Sequence, residues 1–202
     1  MRKAIVSSLV AGLVGGALLV APAQAKKGPI AVNFFLRGPD CTAEVLGLSV
    51  KDEPGDGTCG GLENGAVNGV SQAAGQPVVS QVWAAYDGLP LTLDAAKPVT
   101  GNLYAVSWVG PSAGPATVDV LIEATLGGKT VEVGAATVDY MVTPGLGASE
   151  IAFEIDVPDS LNKKKITGLR MTTTSRGYAP LQGYYEMEDP ASFITIPAIG
   201  KV

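Results

Sequence analysis

The chain has 202 residues, 14 Lys+Arg against 19 Asp+Glu, no histidine, two cysteines and 6% aromatic residues. Without histidine there is no Ser-His-Asp or Cys-His catalytic unit and no imidazole metal ligand. A net charge of −5, with charged residues at only 16%, offers no basic stripe for counterion release, so nucleic acid is not an expected partner.

Met1-Arg2-Lys3 opens the chain with positive charge, and Ala4 to Val20 is an unbroken run of apolar, glycine and serine residues. Ala23 and Ala25 then place small residues at the two positions a signal peptidase reads. This is a secretory signal pattern over residues 1–25, with cleavage after Ala25 and export to the extracellular side. The apolar run is short, rich in Gly and Ala, and followed by Pro22, which makes it marginal for crossing a bilayer. No membrane span is expected after cleavage. Removal of Arg2 and Lys3 leaves 177 residues in which 12 cations stand against 19 anions, a net charge of −7. That length fits one domain over residues 26–202.

The first expected strand is Ile30 to Leu36. Asp40 to Gln76 is rich in Gly, Asn, Asp and Ser, with apolar residues in short pieces such as Val45-Leu46-Gly47-Leu48. Ordering such a segment costs entropy that little burial offsets, so residues 26–90 are read as an irregular part and 91–202 as the regular strands. Cys41 and Cys59, with 17 residues between them, form an even pair in an oxidising compartment. A Cys41 to Cys59 disulfide pinning this loop would contribute roughly 3 kcal/mol by the loop-entropy model; two free thiols are the alternative. Inside the loop, Asp52, Glu53 and Asp56 lie between glycines. They offer oxygens to a calcium ion, but without the EF-hand register, and a solvated turn explains them as well.

Strands follow at Val78 to Trp83 and Val99 to Val109. Ala116 to Leu126 alternates strictly, with Ala116, Val118, Val120, Ile122, Ala124 and Leu126 on one face, and Gly127-Gly128-Lys129 turns it into Thr130 to Val142. In that second strand Val131 and Val133 share one parity while Val138, Tyr140 and Val142 share the other, which predicts a bulge near Gly134 to Ala136. Glu150 to Val157 is the next strand. At most one helical turn is expected near Asp159 to Lys163, and Lys163-Lys164-Lys165 reads as a solvated turn. Ile166 to Thr174, Gln182 to Met187 and Phe193 to Ile196 complete the set. Short alternating strands without crossover helices predict an all-β fold, an antiparallel β-sandwich of immunoglobulin-like or jelly-roll type, with a barrel as the other closure.

No phosphate-binding glycine loop stands ahead of a helix. Glu186 and Glu188 share a strand face about 7 Å apart, a separation a glycosidase pair can use and any solvated strand shows. The candidate ligand site is Arg176 with Tyr178, Tyr184 and Tyr185, because sugar-binding sandwiches stack aromatic faces on pyranose rings. Tyr184 and Tyr185 are adjacent, so one of them faces the core.

Val99 to Ile196 resembles the β-sandwich accessory domains of secreted bacterial proteins. The resemblance lies in Thr117-Val118-Asp119-Val120, the Gly-Gly-Lys-Thr turn at 127–130, the exit Val157-Pro158-Asp159-Ser160-Leu161, and Phe193-Ile194-Thr195-Ile196-Pro197. It implies an exported β-sandwich and no single activity, so it assigns no residue a role. The expected function is a secreted non-catalytic binding or structural module for carbohydrate or cell-envelope ligands, without a cofactor unless calcium binds the acidic loop. A carboxylate-dependent glycoside hydrolase using Glu186 and Glu188, and a protein-binding or inhibitor module using the Cys41 to Cys59 loop, are the alternatives.

Overall fold

The computed structural model describes residues 27–37, 46–50, 67–68, 78–85, 87–107, 114–143, 148–177, 182–185 and 191–201. Their strands are β1 (Lys27–Arg37), β2 (Leu46–Ser49), β3 (Val67–Asn68), β4 (Val78–Ala85), β5 (Leu91–Thr92), β6 (Val99–Ser107), β7 (Gly114–Leu126), β8 (Lys129–Val142), β9 (Ser149–Ile155), β10 (Lys165–Ile166), β11 (Gly168–Gly177), β12 (Gln182–Tyr185) and β13 (Phe193–Lys201). The one helical element among the described residues is a 3-10 turn at Asp159–Leu161, where the sequence predicts at most one turn. Lys163, Lys164 and Lys165 are exposed beside it. No helix of the described residues is long and apolar enough to cross a membrane.

The β7–β8 hairpin shows how the pattern becomes structure. Val118, Val120 and Ile122 are fully buried, and the residues between them are half-exposed, which at about 1.5–3 kcal/mol per buried aliphatic side chain fixes the register against slippage. Ile122 pairs with Gly134 but Glu123 pairs with Glu132, so Val133 is the extra residue of a bulge. Both Val133 and the Val138–Val142 segment thereby face inward despite their opposite parity. Glycine at 134 has a reason. A Cβ there would overlap Ile155 Cγ2 of β9, where the two strands approach without pairing. Gly134→Ala is expected to cost about 1–2 kcal/mol in denaturant unfolding; an unchanged midpoint would mean that β8 and β9 do not meet there.

The strands join one eleven-stranded sheet in the order β3-β12-β6-β13-β1-β2-β4-β11-β7-β8, with β9 on the other edge of β6, and β5 and β10 form a separate pair. Because β9 also packs against β8 at Gly134, the sheet nearly closes into a barrel. Inward side chains from all sides fill one core, including Phe34, Leu36, Trp83, Leu103, Ile151, Met171 and Ile194. The expectation of a purely antiparallel fold is corrected at one place: β2 runs parallel to β4, with Leu46 opposite Trp83 and Leu48 opposite Ala85. A second correction concerns Leu46–Ser49, read as part of a long loop. It is an interior strand of the sheet with Leu48 fully buried. Asp87 holds its end, accepting the Val50 N–H at 2.8 Å and the Ser49 hydroxyl at 2.7 Å. The expected strand Ile166 to Thr174 is two pieces, β10 and β11, and β13 runs past Ile196 to Lys201.

Candidate functional site

At the end of the barrel where β7 begins and β8 and β11 finish, the outward faces of these three strands form an open groove of about 700 Å³. Alternation along β11 buries Leu169, Met171, Thr173 and Ser175 and leaves Arg176 exposed. Register then chooses its neighbours: Arg176 lies opposite Thr117 and Thr174 opposite Asp119 on β7, while Thr117 lies opposite Asp139 and Asp119 opposite Thr137 on β8. Three strands contribute to one polar array. The Arg176 guanidinium Nη2 donates to Asp119 Oδ1 at 2.8 Å and forms an ion pair with Oδ2 at 2.7 Å. The Thr137 hydroxyl donates to Asp119 Oδ1 at 2.8 Å, and the Thr117 hydroxyl donates to Asp139 Oδ1 at 2.7 Å. Beside them on β4, the Ser80 and Thr174 hydroxyls are hydrogen-bonded at 2.9 Å.

The groove also has an apolar wall. Tyr140 packs against Ala116 and Val142 in a small cluster at this end, and Met141, 60% exposed, stands on the outer side. The ion pair adds little to folding, because its side chains are 49% and 36% exposed and surface pairs contribute about 0–1 kcal/mol. Its geometry therefore matters as a surface, one that presents a cation, two carboxylates and threonine oxygens beside an aromatic ring. Thr117 is not made nucleophilic by Asp139, since a solvated carboxylate is too weak a base for a threonine hydroxyl.

Of the residues singled out from sequence, Arg176 lies in this groove. Tyr184 and Tyr185 do not lie on its strands: β12 pairs with β6 and β3, Tyr184 standing opposite Ala105 and Asn68. Both tyrosines thus lie on a strand that is not paired with β7, β8 or β11. Tyr178, Glu186, Glu188, Cys41, Cys59, Asp52, Glu53 and Asp56 lie outside the described residues, as do residues 1–25. Among the described residues no three acidic, cysteine or histidine side chains are grouped to hold a metal ion. Sequence reasoning missed Asp119, Thr117, Asp139, Tyr140 and Met141. Thr117, Asp119, Asp139 and Met141 stand at outward positions of β7 and β8 once the bulge is counted, whereas Tyr140 stands at an inward one.

No protein-family model matches the sequence, and no curated protein does. Solved structures similar to part of it include one of the infectious bursal disease virus Gx strain, at 18% identity and a TM-score of 0.32, over 63% of this chain and 28% of the viral one. Another is of the Gt strain, at 13% identity and a TM-score of 0.32, over 64% of this chain and 38% of the viral one. The match thus spans well under half of the viral chains' own length.

Proposed function

We propose that the chain is a secreted, non-catalytic binding module that takes up a carbohydrate or another cell-envelope polymer in the Arg176 groove. The observation that carries this reading is the array of Arg176, Asp119, Thr137, Thr117 and Asp139 beside Tyr140 and Met141. Sugars are bound by planar charged groups that grip hydroxyls in pairs, next to a face on which the C–H side of the ring can lie. The export signal at 1–25 supports an extracellular site of action. The same reading takes the barrel as flattened into a sandwich of two faces about one core, with a Cys41 to Cys59 disulfide closing the N-terminal loop and Asp52, Glu53 and Asp56 as its place for calcium.

A glycan array probed with residues 26–202, with and without calcium, tests the class of ligand; no binding under either condition would overturn it. Arg176→Ala is expected to weaken a bound glycan about tenfold, the value of one hydrogen bond to a charged group. Its thermal midpoint should stay within about 2–3 °C of the parent, because the ion pair is exposed. Equal affinity for the variant and the parent would move the site elsewhere.

A further inference from the structure

We infer that the inside of the barrel, at the end where β7 begins, takes a small neutral molecule that offers a carbonyl or hydroxyl oxygen to the buried amide of Gln81. This site is separate from the Arg176 groove, which lies on the outward faces of β7, β8 and β11. On β4 the exposed Ser80 is followed by Gln81, which is 4% exposed and shares its inward face with Trp83. The Gln81 Nε2 has no hydrogen-bond partner among the described residues. Thr173 of β11 stands directly opposite, 1% exposed, yet the amide nitrogen does not bond to it. An amide nitrogen left in this way costs the fold the desolvation of its N–H groups. Native interiors nearly always give such a group a partner.

The inward side chains shrink toward this end. Across β11 and β7, Met171 lies opposite Ile122, Thr173 opposite Val120, and Ser175 opposite Val118, all buried. On the facing wall Leu103 of β6 lies opposite Ile151 of β9, and one step nearer the end Ala105 lies opposite Ser149, also buried. Here too the buried core divides, with Ala116 and Val142 in a small cluster apart from the main one. Small side chains alone would mark only a narrower filling; the unpartnered amide among them gives the ligand its chemistry. An amide Nε2 donates and does not accept, so the ligand must accept. No charged side chain is buried among the described residues, so an ion would enter without a counter-charge, which is costly. Trp83 and Met171, opposite each other one step deeper, suit a short hydrocarbon body.

The test is calorimetric titration of residues 26–202 with hexanamide and hexan-1-ol, and with hexanoate and hexylammonium at neutral pH as ions of the same length. The amide and the alcohol should bind, and both ions at least tenfold more weakly. Gln81→Met keeps the reach of the side chain and loses the donor, and Gln81→Leu is the second variant. Each should weaken hexanamide about fivefold, the value of one neutral hydrogen bond. Without any probe, each should raise the thermal midpoint by about 2–6 °C, since an unsatisfied amide leaves the interior. Arg176→Ala should leave hexanamide binding unchanged, which keeps this result apart from that of the glycan groove. Equal affinity of hexanamide for the Gln81 variants and the parent would overturn the site, and equal binding of the ions would overturn the neutral class. A midpoint lowered in both variants would show that Gln81 is satisfied within the fold, and would overturn the inference as well. A raised midpoint with neither neutral probe bound would leave the amide to an enclosed water and overturn the ligand.

Discussion

Trp83→Ala is expected to destabilise the protein by about 4 kcal/mol, within the 3–5 kcal/mol that deleting a buried aromatic side chain costs. For a domain of this size that lowers the thermal midpoint by about 8–16 °C. Trp83 has no exposed surface and lies in the main core. On one side β4 pairs Trp83 with Met171 of β11, itself fully buried, and on the other with Leu46 of the parallel strand β2. The side chain therefore stands where the antiparallel part of the sheet meets its one parallel pairing. A void there faces strands from both parts and cannot be filled by relaxation of one alone. Trp83→Phe, which keeps a ring and loses volume, should cost about half as much. Urea unfolding with a slope unchanged from the parent would attribute the loss to the native core. A loss below about 1 kcal/mol would mean that β2 and β4 do not meet at this residue. The same experiment probes an element that sequence patterns hide, since β2 is held in the sheet between β4 and β1.

What could be read in advance follows from which interactions are local. β7 and β8 are long and connect through Gly127-Gly128, and β8 alternates on each side of its bulge, so their inward faces and even the bulge near Gly134 follow from parity. β2 is four residues with a glycine second among them, too short for a period and lying in a polar stretch. Its burial comes from β1 on one edge and β4 on the other, and parallel pairing leaves no mark on either strand alone. β13 continues through Pro197, which ordinarily ends a strand interior. Here Pro197 stands opposite Ala31, and its carbonyl accepts the Asp94 N–H at 3.1 Å.

The site divides in the same way. Arg176 stands out from β11 by alternation, and that much is visible in one strand. Its carboxylate partner lies 57 residues away and is fixed by the register of β11 on β7. Tyr184 and Tyr185 are close to Arg176 in sequence, which made them natural companions, but β12 leaves β11 and joins β6. Nearness along the chain suggested that grouping, whereas sheet order sets β12 beside β6 and β3. The residues that do surround Arg176 belong to the hairpin whose parity had already been read. Their place beside it needed only the order of three strands.

Gly101→Ala is expected to cost about 3 kcal/mol, the upper part of the range for overpacking a core. Gly101 is buried on β6, paired on one edge with Phe153 of β9 and on the other with Ile194 of β13. A Cβ at 101 would lie 2.8 Å from Phe153 Cε2 and closer still to Cε1 and Cζ. The ring thus fills the space a side chain at 101 would occupy. It has little room to yield, because Phe153 is itself part of the packed core. Phe153→Leu alone removes part of the ring and should cost about 1–2 kcal/mol. Combined with Gly101→Ala it should cost less than the sum of the two, with a coupling of about 1–2 kcal/mol, because the shorter side chain makes room for the new methyl. The measurement is a double-mutant cycle on unfolding free energies from urea titration. Additive losses would mean that ring and glycine do not share the space, and would separate β9 from the edge of β6 on which the near-closure of the barrel depends.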